Sequence, residues 1–301
     1  MVNESNKVYY ATCPVCNSSD INPLLTVKDH SVSKEEFVVW QCANCHLRFT
    51  QSVPNEASIG PYYQSTDYIS HSNTSEGLIN KLYQRVRNYT LNQKANLIIG
   101  ETVSKGNLLD LGAGIGAFLS TMKLKGWETT GIEPDEGARQ QAKSLFNIDL
   151  EATGRLQQLR EASFDAITLW HVLEHVHELH PYIQKLSSLL KPTGKLFIAV
   201  PNYQSLDASV YKTYWAAYDV PRHLYHFSPR SIEVLMQRHA LKLIDKRPMW
   251  FDSFYISLLS SKYKNGKTNW LGAGVAGLRS NLKTLVNKDY CSSIVYIFGK
   301  S

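Results

Sequence analysis

Four of the five cysteines fall in two pairs, Cys13-Pro-Val-Cys16 and Cys42-Ala-Asn-Cys45, with 25 residues between them. Each C-x-x-C turn can aim two thiolates at one ion, and four thiolates fill the tetrahedron that Zn²⁺ prefers. No coordination position is left open, so the spacing predicts a structural zinc rather than a catalytic one. The competing reading is a disulfide pair, which a reducing cytosol disfavours. His46 follows the last ligand and is surplus to it. Cys291, in the apolar run "CSSIVYIF", reads as a small buried hydrophobe.

A second constellation is "LWHVLEHVHELHP", from Leu169 to Pro181, with four histidines and two glutamates. His171, Glu174 and His175 spell H-x-x-E-H, a string used by one group of zinc peptidases. Those enzymes carry it inside a helix. Here it follows directly on "FDAITLW", which reads as a strand, so it belongs at the carboxyl edge of a sheet, where open α/β folds bind ligands. Three roles stay open for these side chains: holding a metal, moving a proton, or shaping a pocket wall. His177 and His180 read as solvated. Further on, "YKTYWAAYDVPRHLYHFSPRS" (211–231) offers Trp215, Tyr218 and Arg222 to a substrate and His223 and His226 as bases. A guanidinium can grip a carboxylate or phosphate with two parallel bonds, and an imidazole can take a proton from a hydroxyl. The alternative is an ordered loop whose Arg and His satisfy backbone carbonyls. Of the pool His171, His175, His223 and His226, His223 is the first choice for a base.

The third constellation selects a cofactor. "LLDLGAGIGAF" sets Gly112, Gly114 and Gly116 between a strand and a helix. Such a loop lets a ligand approach the backbone and meet free N–H groups at the helix start, and it fits the dinucleotide fingerprint as well. Asp110 separates the two ligands. Two residues before the first glycine, its carboxylate repels a pyrophosphate but suits the ammonium of a methionine moiety. Glu133 ends the next strand and can accept from a ribose diol, which serves NAD and S-adenosylmethionine alike. Together the two acids favour S-adenosylmethionine.

These groups need elements to position them. "EEFVVWQC" and "HLRFT" read as strands flanking the second cysteine turn. Residues 51–76 are rich in Ser, Asn, Pro and Tyr and read as a connection, in which Tyr62, Tyr63 and Tyr68 form a lid or pack between domains. From residue 77 an amphipathic helix follows, with Lys81, Arg85 and Arg87 on its solvated side. Strands and helices then alternate. "NLLDL", "ETTGIEP", "FDAITLW" and "KPTGKLFIAVPN" are strands. "AFLSTMKLKG", "EGARQQAKSLF" and "HPYIQKLSSLL" are helices. After residue 202 come the helix "PRSIEVLMQRHA" and the strands "LKLIDKRPMW" and "CSSIVYIFGK". This order implies a doubly wound α/β fold with a mostly parallel sheet covered on both faces.

The motifs "LLDLGAGIGAFL", "GIEP", "SFDAITLWHVLEHV" and "LLKPTGKLFIAVPN" resemble those of class I S-adenosylmethionine-dependent methyltransferases over residues 77–301. The resemblance implies a Rossmann-like seven-stranded sheet with an antiparallel last strand. It implies that Asp110, Gly112, Gly114 and Gly116 face the methionine half of the cofactor. Glu133 and Pro134 would meet the ribose end, Leu156 the adenine, and Trp170 and His171 the methionine moiety. The N-terminal ribbon is similar to that of methyltransferases acting on sugars or small metabolites. "WHVLEHV" resembles the E-x-x-E-H segment of quinone-biosynthesis O-methyltransferases, which is associated with a divalent metal. Carried over, the ligands are His171, Glu174 and His175, with imidazole where the family has a carboxylate; that exchange favours Zn²⁺ or Mn²⁺ over Mg²⁺.

The chain has 301 residues and a formal net charge of +6. No dense Lys/Arg run suggests a nucleic-acid partner, no apolar run reaches the ~18 residues of a membrane span, and the first residues lack a signal peptide's apolar core. The expectation is a cytoplasmic enzyme with a zinc ribbon (1–50), a connection or lid (51–76) and a methyltransferase domain (77–301, with a substrate-side insertion at 202–231). It would act on a small-molecule methyl acceptor, with no membrane or nucleic-acid partner and no stated oligomeric state. A NAD-dependent oxidoreductase and a zinc-ribbon interaction module with an inactive cofactor domain are the alternatives.

Overall fold

A computed structural model of the chain describes residues 6–64 and 78–301. The chain begins with β1 (Lys7–Val8), β2 (Ile21–Lys28), β3 (Glu36–Cys42), β4 (Arg48–Thr50) and β5 (Val53–Pro54). Then come α1 (Leu78–Glu101), β6 (Asn107–Leu111), α2 (Ala117–Leu124), β7 (Glu128–Ile132), α3 (Glu136–Phe146), β8 (Phe164–Trp170), α4 (Leu179–Leu189) and β9 (Leu190–Pro201). The last part holds α5 (Leu206–Tyr211), β10 (Tyr225–His226), α6 (Pro229–Gln237), β11 (Leu241–Pro248), α7 (Asp252–Asn265), α8 (Trp270–Val286) and β12 (Ser293–Lys300). Tyr68 and the rest of the expected lid beyond residue 64 lie outside the described residues.

The chain divides into two compact units that do not follow the sequence boundaries at 50 and 77. One gathers Met1–Ser70, His171–Tyr182 and Ile198–Tyr296; the other gathers His71–Trp170, Ile183–Phe197 and Ile297–Ser301. In the first, the strand order is β10-β4-β3-β2. β2 pairs antiparallel with β3 from Ile21↔Cys42 to Lys28↔Glu36, with an irregularity between Pro23 and Leu25; a proline has no N–H to give the ladder. β3 alternates, Phe37 and Val39 buried and Glu36 and Val38 exposed. β10 adds to β4 through Tyr225↔Phe49 and His226↔Arg48, so the segment read as a substrate-side insertion extends the ribbon sheet. α6 starts on a capping box between Ser228 and Ser231 with Pro229 in its first turn.

The largest sheet has six strands in the order β11-β12-β9-β8-β6-β7. β6 pairs in parallel with β7 and β8. Leu108, Leu109 and Leu111 of β6 and Ala166, Ile167 and Leu169 of β8 are buried, as in parallel strands covered on both faces. Among the described residues six strands pair in this sheet where seven were expected. Beside β7, where another strand would pair, Glu151 makes only an isolated parallel bridge to Ile132. The segment is short for a local reason: α3 ends at left-handed Asn147, and a 3₁₀ turn begins at Thr153. α3 itself starts where the Asp135 side chain accepts from the Ala138 N–H at 2.7 Å, an N-cap in the ordinary sense.

Candidate functional site

The cysteines close into one cluster. Asn17 and His46, which follow the two C-x-x-C pairs, take left-handed backbone at φ 60° and 61°. Their N–H groups donate to the Cys13 and Cys42 carbonyls at 2.9 and 3.1 Å, so the two turns are equivalent. The sulfurs of Cys13, Cys16, Cys42 and Cys45 lie within 4.8 Å of one another. Cys13 Sγ is 3.5 Å from Cys45 Sγ and Cys16 Sγ 3.6 Å from Cys42 Sγ. Those separations are too long for disulfides, and they match the roughly 3.8 Å edge of a tetrahedron with 2.3 Å Zn–S bonds. The donor set fits structural zinc. The His46 carbonyl accepts from Tyr203 Oη at 2.6 Å.

In the sheet-rich unit, Gly112, Gly114 and Gly116 all have positive φ, at 63°, 55° and 77°. A side chain at Gly114 would be strained by its backbone yet would meet no atom within 4 Å, so the loop leaves open space there. Glu133 is fixed beside it. Its Oε2 accepts from the Gly114 N–H at 2.7 Å and its Oε1 from the Asp135 N–H at 3.0 Å. A carboxylate has about four lone-pair sites, so each oxygen can still accept from a ligand hydroxyl. Pro134 turns its carbonyl to Arg139 at 2.7 Å. Asp110, buried at the end of β6, accepts from Thr168 Oγ1 at 2.6 Å. Burial lifts its carboxyl to about 7, against the Thr168 hydrogen bond and the positive Lys94. Lys94 Nζ also sits 4.3 Å above the Trp170 ring. The buried Trp170 indole N–H finds no acceptor among the described residues, a donor suited to a ligand. Leu156 is buried in the turn Thr153–Gln158.

The histidines gather in the other unit. His171 directly follows β8, and a 3₁₀ turn spans Leu173–His175. His171 has φ 58°, an uncommon conformation for a non-glycine residue, at a cost of about 1–3 kcal/mol. Its Nε2 lies 3.1 Å from Asp252 Oδ2 and its Nδ1 3.4 Å from Glu174 Oε1. Burial favours the neutral ring, but the two carboxylates outweigh it and lift His171 to about 9. His175 goes the other way: burial and then the neighbouring His223 push it down to about 4. Its Nδ1 is 3.0 Å from the Arg222 carbonyl, so that nitrogen carries the proton and Nε2 keeps its lone pair. His223 is held alike, Nδ1 donating to the Ala217 carbonyl at 2.8 Å. Glu174 is fully buried, and neither of its carboxylate oxygens has a hydrogen-bond partner among the described residues. Ligand atoms of Glu174, His175 and His223 all fall within 4.8 Å.

A family model for the methyltransferase domain matches residues 83–246. The chain belongs to the methyltransferase-domain family. Among curated relatives, a ubiquinone biosynthesis O-methyltransferase of Actinobacillus pleuropneumoniae is 35% identical over 123 residues, 37% of this chain and 50% of that one. The mitochondrial ubiquinone biosynthesis O-methyltransferase of Mus musculus is 30% identical over 131 residues, 40% of this chain and 35% of that one. The chain thus spans about half or less of the length of these relatives. The crystal structure of a magnesium protoporphyrin IX methyltransferase from Synechocystis with bound SAH is similar in fold, with a TM-score of 0.50 and 14% identity. That match covers 80% of this chain and 97% of the other.

The methyltransferase residues read from sequence therefore fall into two groups, each within its own unit. Asp110, the glycines, Glu133, Pro134, Leu156 and Trp170 lie in one; His171, His175, His223 and His226 lie in the other. Three of the latter unit's expected site residues are engaged in packing. Trp215 is buried and donates its indole N–H to Asp207 at 2.8 Å. Tyr218 Oη accepts from Arg48 at 2.8 Å. Arg222 is buried, and its three nitrogens reach Asp219, the Tyr62 carbonyl and Asp29. His226 Nε2 lies 3.1 Å from Thr50 Oγ1, whose proton goes to the His223 carbonyl. His177 and His180 are also engaged, with the Pro54 carbonyl at 3.0 Å and His239 at 2.8 Å. Sequence reasoning passed over Thr168, Lys94 and Asp252, because isolated residues of these types carry no motif; Asp219, offered with the 211–231 stretch, accepts from Arg222 Nε at 3.0 Å.

Proposed function

We propose that the chain moves a methyl group from S-adenosylmethionine to a hydroxyl of a small acceptor, with quinone precursors as the first class to test. The observation that supports the reading most is the pairing of Asp110 and Glu133 around the open left-handed glycine loop. The cofactor supplies an activated methyl on a sulfonium. Glu133, already oriented by the Gly114 and Asp135 N–H groups, would hold the ribose hydroxyls. Asp110 would hold the ammonium, which favours its charged form, and the Trp170 indole N–H would donate to an acceptor on the ligand. The remaining task is to align the hydroxyl and remove its proton. Within the other unit, His175 and His223 each have Nδ1 fixed as a donor, which leaves Nε2 as an acceptor; His223 Nε2 lies 3.9 Å from Asp219 Oδ2. His171 is protonated at neutral pH and stabilises the buried Glu174; His226 is tied to Thr50.

Calorimetry with S-adenosylmethionine, S-adenosylhomocysteine and NAD is the direct test. Binding of the first two and not of NAD is expected; binding of NAD alone would restore the oxidoreductase. A second reading comes from Glu174, which is ion-paired with His171 at 3.4 Å, has no hydrogen-bond partner among the described residues, and lies beside His175 and His223. Glu174, His175 and His223 would hold a Zn²⁺- or Mn²⁺-type cation. The set differs from the family-derived one in using His223 where His171 was expected. A metal equivalent beyond the cysteine-bound one, lost in Glu174→Gln, is the result this reading requires. A Glu174→Gln protein with unchanged metal content removes it.

A further inference from the structure

α8 turns its large apolar side chains outward. Its buried residues are Ala273, Ala276, Gly277, Ser280 and Thr284, all small. They bring it close to α7: a Cβ at Gly277 would fall 2.7 Å from the Phe254 ring. Ser280 Oγ donates to Asp207 at 2.8 Å, and Asn281 donates to the Trp250 carbonyl at 2.8 Å. The opposite side carries Leu271, Val275, Leu278, Leu282 and Leu285, each between 43% and 81% exposed. At about 100° per residue the first four lie within roughly 60° of one another, opposite Ser280. Trp270 and Val286, at the two ends, are 66% and 88% exposed. Single exposed leucines are ordinary, but a continuous apolar face on a helix marks a contact surface.

Charge identifies what the face meets. Residues 253–288 contain Lys262, Lys264, Lys267, Arg279, Lys283 and Lys288 and no Asp or Glu. All six are exposed, and their sum equals the net charge of the whole chain, +6. Arg279 and Lys283 lie on one side of the leucine face, about 80° and 120° round the helix from Leu271, with Lys283 Nζ 3.9 Å above the Tyr290 ring. We propose that α8 lies on an anionic lipid surface, with its leucine face at the acyl boundary and its cations among the head groups. Apolar burial and electrostatic attraction add in such helices, basic residues beside the surface gain from the negative potential of anionic lipid, and an indole such as Trp270 suits the interface. A second copy on the same face would set Arg279 and Lys283 against their own kind, with no carboxylate on α8 to offset them. No described helix is long and apolar enough to cross a membrane, so the contact is interfacial. The inference stands apart from the methyl-transfer reading.

The test is flotation of the full-length protein with vesicles of about 30% phosphatidylglycerol in phosphatidylcholine, against phosphatidylcholine alone. Binding to the anionic vesicles, weakened by added salt, is expected. Leu278→Glu/Leu282→Glu and Arg279→Glu/Lys283→Glu should each reduce it about tenfold or more, with unchanged circular dichroism and unchanged S-adenosylmethionine affinity. Absence of flotation, or flotation that survives both double substitutions, overturns the proposal. So does a dimer in sedimentation equilibrium that Leu278→Glu/Leu282→Glu dissolves, which would assign the face to a second copy.

Discussion

Asp110 is a carboxylate buried with one hydroxyl donor, and burial lifts it to about 7. An unfolded chain releases that proton near 3.9. Between those values the folded chain binds more protons than the unfolded one, so stability falls as pH rises. Above about 7 the whole cost remains, on the order of 4 kcal/mol at most. Cofactor affinity has the opposite sign, because an ammonium favours the charged carboxylate and the affinity should climb through pH 7. Asp110→Asn keeps an acceptor for Thr168 and removes the charge. It is expected to raise Tm at pH 8, with a smaller effect at pH 5, while weakening S-adenosylmethionine binding about tenfold or more. Equal calorimetric affinity in the two proteins would mean that Asp110 does not meet the cofactor's cation. The acid and its glycines were legible in the sequence because their type and spacing follow a strand. Thr168 was not: it is an ordinary strand residue until β6 and β8 pair and set Asp110 beside Thr168 in register.

At the scale of elements, the strongly patterned segments were found where the sequence placed them: β6, β8 and α3 coincide with their expected limits. What failed was instructive in two ways. β10 is only two residues long, too short for any periodicity, and it exists because β4 offers an edge. α7 and α8 were passed over, although Leu271, Val275, Leu278, Leu282 and Leu285 repeat at helical spacing. Read as a pattern, that stripe would be taken for the buried face. The structure buries the small residues opposite, since Ala273, Gly277 and Ser280 allow close approach to α7 and its neighbours. The expectation of no membrane partner rested on the absence of a spanning segment, which an interfacial helix does not need.

At the scale of the whole molecule, the zinc cluster belongs to the unit that carries the histidines. β4 leaves the second cysteine turn and pairs with β10. Thr50 Oγ1 donates to the His223 carbonyl at 2.8 Å, and the Thr50 N–H donates to the Leu224 carbonyl at 2.9 Å. Asp29, between β2 and β3, pairs with buried Arg222 at 3.1 Å, and removing one partner of such a pair leaves a buried charge at a cost of about 3–5 kcal/mol. Structural zinc contributes folding energy directly, so its loss should reach beyond the first fifty residues. Cys13→Ser/Cys16→Ser is expected to lose one equivalent of zinc and to speed hydrogen exchange in both 36–50 and 219–228. The strands at 107–111 and 128–132 belong to the other unit and should keep their protection. Exchange that quickens only before residue 50 would show instead that the ribbon folds by itself and that β10, Arg222 and His223 hold their places without it.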